Sequence, residues 1–192
     1  MLLRPLEARL ASKPVAPRRY EWRADAQIPA VFFRCLLASE DQRFYQHHGF
    51  DWHEVRIAQA EAERRGRPPR GASTITMQCA RSLFLWQGRS FIRKGLEAYY
   101  TVWMELLLSK RRILELYANI VEMGDGIYGV EAAARTHFST SAAALTREQA
   151  ALIVACLPNP RARDPRQPSA TVTSRARRVL LQERTIKLGR GE

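Results

Sequence analysis

The densest chemistry in this 192-residue chain lies in "EDQRFYQHHGFD", residues 40–51. Glu40 closes the apolar run "VFFRCLLAS". A carboxylate held half-buried at a helix end loses hydration of its charged form, which suits it to general acid or base duty near neutral pH. On these residues alone Glu40 reads equally well as a surface carboxylate at a helix end, and Asp41 as a loop anchor facing the other way. His47, His48, Asp51, His53 and Glu54 are all metal-ligand types. Adjacent histidines diverge on a helix, however, and no HExxH or comparable ladder appears. The plainer expectation is that His47 packs a turn and Asp51 caps the next helix.

A second cluster is "WQGRSFIRKGLE", with Arg89, Arg93 and Lys94 entering the first turns of a long helix. Cations there oppose the macrodipole, and Arg93 before Glu97 is the less favourable i,i+4 order. Such a cluster makes sense where an anion joins it, since free N–H groups at a helix N-terminus already attract phosphate. The leaving group links the two clusters. A glycoside hydrolase must protonate an alkoxide and needs a carboxylic acid flanking the bond. A sugar pyrophosphate leaves without that proton but gathers negative charge, so its site needs cations and one carboxylate to deprotonate the incoming hydroxyl. One Glu with a basic cluster fits the second case better.

The elements that must position these groups read as helices. "IPAVFFRCLLASED" has Pro29 suited to a first turn and ends near Glu40. "DWHEVRIAQAEAERRG" opens with Asp51 and Glu54 in capping-box spacing and stops at Gly66. "RGRPPRG" is a loop. "STITMQCARSLFL" follows a Ser73 cap, "WQGRS" breaks it, and "FIRKGLEAYYTVWMELLLS" is a long helix. "RRILELYANIVE" and "GVEAAARTHF" flank a Gly-rich bend, "MGDGIYG". "TREQAALIVACLP" carries Thr146 and Gln149 in capping-box spacing, and an extended "PNPRARDPRQPS" leads to an Arg-rich last helix. With no alternating strand pattern and no repeat, the fold class is all-α, in one domain. The expected divisions are an arm over 1–27, a catalytic domain over 28–160, and a linker with a basic helix over 161–192.

Lys and Arg number 31 against 19 Asp and Glu, a formal net charge of +12. That excess favours a polyanion, an anionic lipid surface or a phosphate-bearing substrate. No recognition-helix motif or aromatic platform supports nucleic acid. Cys35, Cys79 and Cys156 lie in apolar or helical runs without CxxC spacing and read as buried thiols. Nothing in the sequence resembles a membrane span of about 20 apolar residues.

In these segments the chain resembles the peptidoglycan glycosyltransferases of family 51, from about Pro29 to Pro160, and is most similar to the monofunctional type. Four motifs of that family occur in order: E-D-x-x-F-x-x-H-x-G-x-D at Glu40 to Asp51, G-x-S-T-I-T-x-Q at Gly71 to Gln78, R-K-x-x-E at Arg93 to Glu97, and K-x-x-I-L-E-x-Y-x-N at Lys110 to Asn119. The resemblance implies a lysozyme-like helical fold with a larger head and a smaller membrane-proximal lobe. It implies that lipid II and a lipid-linked glycan are polymerised by an inverting transfer to the 4-hydroxyl of N-acetylglucosamine, giving β-1,4 linkages. Glu40 resembles the general base, and Glu97 the second essential acid, assisting pyrophosphate departure directly or through a divalent cation (Mg or Mn). Ser73, Thr74, Gln78, Arg81, Arg89 and Lys94 match substrate-binding positions. Asp41, Phe44, His47, Gly49, Asp51, Glu115 and Asn119 match motif positions read as structural. At its helical spacing Glu115 pairs with a basic neighbour and Tyr117 packs, while Glu105 is a helix ion partner.

Two departures stand out: Met77 replaces the first of the usual glutamine pair, and Arg81 stands where lysine is commoner. The family is normally tethered by an N-terminal helix, and on this resemblance the sequence is expected to begin just after where that helix would end. The implied setting is the periplasmic face of the bacterial inner membrane, with cell-wall synthesis proteins as further partners and no nucleic acid. The rival readings are a lytic transglycosylase or lysozyme-like hydrolase, and a basic helical nucleic-acid-binding module.

Overall fold

The computed structural model describes residues 17–86, 88 and 90–189. Among the described residues there are eight α-helices: α1 (Ala30–Glu40), α2 (Trp52–Arg65), α3 (Ile75–Phe84), α4 (Phe91–Leu107), α5 (Lys110–Ile120), α6 (Val130–Phe138), α7 (Arg147–Cys156) and α8 (Ala170–Gln182). The central pair is α1 and α7. Phe32, Cys35, Leu36 and Leu37 of α1 pack with Ala150, Ala151, Ile153 and Val154 of α7 in one apolar cluster. α8 closes over both, and α3 lies against α4 and α5. α2 contributes no residue to the central cluster.

The helix ends follow ordinary capping chemistry. The Asp51 carboxylate accepts the His53 and Glu54 amides at 3.0 and 3.1 Å, and Gly66 ends α2 in the left-handed conformation at φ 58°. Thr146 and Gln149 form the expected reciprocal box at α7. At α3 the cap is Thr74 rather than Ser73: the Thr74 hydroxyl accepts the Met77 amide at 3.2 Å. Both residues can cap, but Thr74 is the one whose side chain lies inside, 3% exposed.

The Gly-rich bend is a hairpin. β2 (Glu122–Gly124) pairs antiparallel with β3 (Ile127–Tyr128), and β1 (Arg19–Tyr20) adds in parallel to β3. These strands are too short to show alternation in sequence, so the fold stays mostly helical. They nevertheless draw the end of the N-terminal arm into the domain. Gly129 follows at φ 80°, and a Cβ there would lie 2.3 Å from the Asn119 carbonyl oxygen, so only glycine lets β3 turn into α6. The "PNPRARDPRQPS" segment is a series of turns rather than extended chain. Arg161 reaches back from it to Glu122 at 3.0 Å. Cys35, Cys79 and Cys156 are buried free thiols; burial pushes Cys35 to about 12 and Cys156 to about 11.

Candidate active site

Glu40 is the last residue of α1, and its side chain is 13% exposed. Its Oε1 accepts the Ser39 hydroxyl at 2.8 Å and an Arg175 guanidinium N–H at 3.0 Å. The same Arg175 nitrogen donates to Ser39 Oγ at 2.9 Å. Among the described residues Oε2 has one long contact, 3.4 Å from the Gln78 amide nitrogen. Gln78 is oriented from behind, because Tyr117 donates its hydroxyl to Gln78 Oε1 at 2.8 Å and so turns the amide NH₂ toward Glu40. Burial, and next the charge of Glu40, raise the Tyr117 hydroxyl pKa well above its ordinary value, keeping it a neutral donor.

Asp41 lines the same cleft, and its carboxylate anchors the loop. Its Oδ2 accepts the Ile75 amide at 2.9 Å, and both oxygens lie 3.0–3.1 Å from His47 Nε2, which therefore carries the proton. Phe44 is buried beneath, with Lys110 Nζ 4.5 Å from its ring centroid. Gly49 turns at φ 85° where a Cβ would come within 2.7 Å of Thr101. Asp41, His47 and Asp51 gather potential ligand atoms within 4.8 Å of one another. Those atoms hold the loop: Asp41 joins α3 to His47, and Asp51 caps α2 and sits 3.3 Å from Arg43 Nε.

The basic cluster converges on Glu97. Glu97 is 1% exposed, with Oε2 2.6 Å from Arg93 Nη1 and Oε1 2.5 Å from Lys94 Nζ. The unfavourable Arg-before-Glu order is overridden because Arg93 is itself buried and fixed, donating its Nε–H to the Gly88 carbonyl at 2.7 Å. Lys94 remains half-exposed and lies 3.4 Å from the Oγ of Ser73 on the wall of the Glu40 cleft. Arg81 sits on α3, near one turn beyond Gln78. Arg89 lies outside the described residues.

Some sequence-derived positions serve the scaffold. Thr74 matched a substrate contact, yet it is buried, with its hydroxyl donating to the Gly49 carbonyl at 2.6 Å and accepting from Met77. Glu115 pairs with Arg112 at 2.6 Å, Asn119 bonds both backbone groups of Arg23, and Glu105 holds Lys110 at 2.8 Å. Two residues were missed. Tyr117 packs as expected but also orients Gln78, a role its helical spacing does not reveal. Arg175 was one arginine among several in a basic helix, and no local signal marks it.

A polar cavity of about 270 Å³ opens beside Glu40, lined among others by Gln42, Arg43, Arg70 and Ser73. A half-buried carboxylate at a polar cleft, with a cation held on a buried acid nearby, is an arrangement suited to glycosyl transfer in a helical fold. The sequence signature of the family described as Transglycosylase matches residues 8–184, and the chain belongs to that family. A biosynthetic peptidoglycan transglycosylase of Shewanella oneidensis is 46% identical over 173 residues, 90% of this chain and 74% of that relative. Proteins of the same description from Xanthomonas euvesicatoria pv. vesicatoria and Stutzerimonas stutzeri are each 48% identical over 166 residues. Those alignments cover 86% of this chain and 66% and 68% of the relatives.

Proposed function

We propose that this chain is a peptidoglycan glycosyltransferase that polymerises lipid II into β-1,4 glycan strands, acting at the periplasmic face of a membrane. The single observation that carries this reading is the placing of Glu40 on a polar cleft whose wall, at Ser73, is reached by Lys94 from the buried Glu97.

In the reaction, Glu40 Oε2 takes the proton of the acceptor 4-hydroxyl as that oxygen attacks the donor's anomeric carbon from the face opposite the pyrophosphate. The C1–O bond breaks with inversion, and the lipid pyrophosphate leaves with the bonding electrons. Lys94, with Arg81 and Arg89, stabilises the charge that grows on it. Glu97 has both oxygens engaged by Arg93 and Lys94, so it acts by holding the Lys94 ammonium in place. A divalent cation at the departing pyrophosphate would supply the same charge stabilisation. Ser73 and Gln78 complete the acceptor side.

Membrane contact is supported by the outer face of α4. Phe91, Ile92, Leu106 and Leu107 there are 99%, 75%, 70% and 73% exposed, and Tyr99 and Trp103 join the same face. Such a stripe beside a strongly basic surface suits an anionic bilayer interface. Among the described residues no helix is long and apolar enough to cross a membrane.

Incubation with labelled lipid II and separation of products tests the function. Polymer that falls by about 10²–10⁴-fold in Glu40→Gln is expected for loss of a general base. Cleavage of finished peptidoglycan without polymerisation would establish the hydrolase instead.

A further inference from the structure

A cavity of about 360 Å³ adjoins the Glu40 cleft, and Arg43 and Asp51 line both. Its other walls include His47, His48 and Phe50 of the loop and Trp52, His53 and Arg56 of α2. Among the described residues Asp51 is the one carboxylate on these walls, and its Oδ1 already accepts two amides of α2. His48, His53 and Arg56 are exposed. Arg56 donates its Nε–H to the Trp52 carbonyl at 3.3 Å, which leaves its outer nitrogens for a ligand.

Three buried polar atoms on these walls have no hydrogen-bond partner among the described residues: Arg43 Nε, His47 Nδ1 and Asp51 Oδ2. Arg43 Nε and Asp51 Oδ2 lie 3.3 Å apart without bonding each other. Buried polar atoms are ordinarily satisfied, and His47 and Asp51 are only 8% and 5% exposed, so three orphans on one cavity mark a place that a ligand completes. The three atoms differ in what they require. Arg43 Nε–H is a donor and calls for an anionic oxygen. His47 Nδ1 is an acceptor, because Nε2 holds the proton facing Asp41, and Asp51 Oδ2 is an acceptor as well. A bare anion would leave both acceptors unanswered, and a metal ion would leave Arg43. A peptide bearing carboxylates supplies an anionic oxygen and N–H donors together. The rings of Phe50 and Trp52, with centroids 5.9 Å apart, add an apolar shelf for its methyl groups.

We propose that this cavity binds the acidic peptide that branches from the sugar held at Glu40, with a carboxylate at Arg43 and Arg56 and peptide N–H groups at His47 and Asp51. The proposal rests on the glycosyl-transfer reading above, whose substrate is a peptide-bearing sugar. It makes the peptide a determinant of which acceptor is used, with Arg43 standing where sugar and peptide part.

Soluble muramyl pentapeptide, N-acetylmuramic acid and inorganic phosphate are titrated separately into the full chain while the imidazole signals of His48 and His53 are followed by NMR. The pentapeptide is expected to shift both imidazoles and to bind at least roughly tenfold more tightly than N-acetylmuramic acid, the worth of one charge-assisted hydrogen bond. Arg56→Glu should remove most of that advantage and Trp52→Ala part of it; thermal unfolding identifies any variant that fails to fold. In polymerisation assays the wild type should show a KM roughly tenfold lower for lipid II than for a lipid-linked disaccharide without the peptide, and Arg56→Glu should lose that difference. Equal binding of the pentapeptide and N-acetylmuramic acid, or an advantage undiminished in folded Arg56→Glu, would overturn the proposal. Inorganic phosphate displacing the pentapeptide at equal concentration would also overturn it, by assigning the cavity to any anion, a lipid headgroup included. A wild type that binds the pentapeptide but polymerises no lipid II sinks the function and not the cavity.

Discussion

Arg175 on α8 places its guanidinium 3.0 Å from the Glu40 carboxylate at the end of α1, joining two residues 135 positions apart in sequence. By also gripping Ser39, it fixes Oε1, while Oε2 keeps only the long Gln78 contact among the described residues. Arg175→Ala should therefore lower polymerisation by roughly tenfold to a hundredfold, the worth of a charged hydrogen bond of about 1.5–3 kcal/mol. Arg175→Lys should recover only part of this, since a single ammonium does not reproduce the planar fork. Steady-state kinetics on lipid II check it: the loss belongs in kcat, and a change confined to KM would count against a positioning role.

The Tyr117 hydroxyl acts one step further back. Tyr117→Phe keeps the packing but releases the Gln78 amide, at a cost of about 0.5–1.5 kcal/mol in stability. Polymerisation should drop by roughly twofold to tenfold as the amide loses its orientation toward Glu40. A variant with lowered melting temperature and full activity would show that Gln78 needs no holding.

Vesicle binding should depend on the outer face of α4. Wild type is expected to float with anionic liposomes at low salt and to retain part of that binding at high salt, because apolar burial is not screened. Leu106→Asp with Leu107→Asp should abolish the salt-resistant part without lowering the melting temperature, as both side chains are exposed. Failure of the wild type to bind anionic vesicles at either salt rejects the surface.

Glu183, 2% exposed beyond the end of α8, ties Arg34 of α1 to Arg147 of α7. Burial works against its charge, but the hydrogen bonds from Arg34 and Arg147 prevail and hold its carboxyl below the ordinary value of 4.5. Its folded-state value is the lower one, so its stabilisation is fully present above the unfolded value and fades as pH falls through the folded value. Glu183→Gln should cost about 3–5 kcal/mol at neutral pH by leaving two arginines without their carboxylate. Denaturant melts along a descending pH series should show the gap to wild type closing below pH 4.5; a gap constant with pH contradicts the linkage.

Much of the helical layout is local and therefore readable. Asp51, Gly66, Thr146 and Gln149 act on their own helix ends, and capping depends only on neighbours within a turn. The departures are also physical. The α3 cap moved from Ser73 to Thr74 because the loop carrying Gly49 supplies an acceptor for that hydroxyl. The bend at 122–128 became a hairpin because residues 19–20 arrive to pair with it, and three strands of two or three residues show no period of their own.

The sequence by itself determined the helices, the placement of Glu40 at the end of an apolar one, and the cation cluster around Glu97, since each follows from residue type and short-range spacing. Only the tertiary structure decided which oxygen of Glu40 is held by Arg175, that Tyr117 orients Gln78 beside that carboxylate, and that Thr74 turns inward. It also decided that the unpartnered atoms of Arg43, His47 and Asp51 share one cavity. These are contacts between elements remote in the chain, fixed by how α1, α3, α5 and α8 pack, and no local pattern records them.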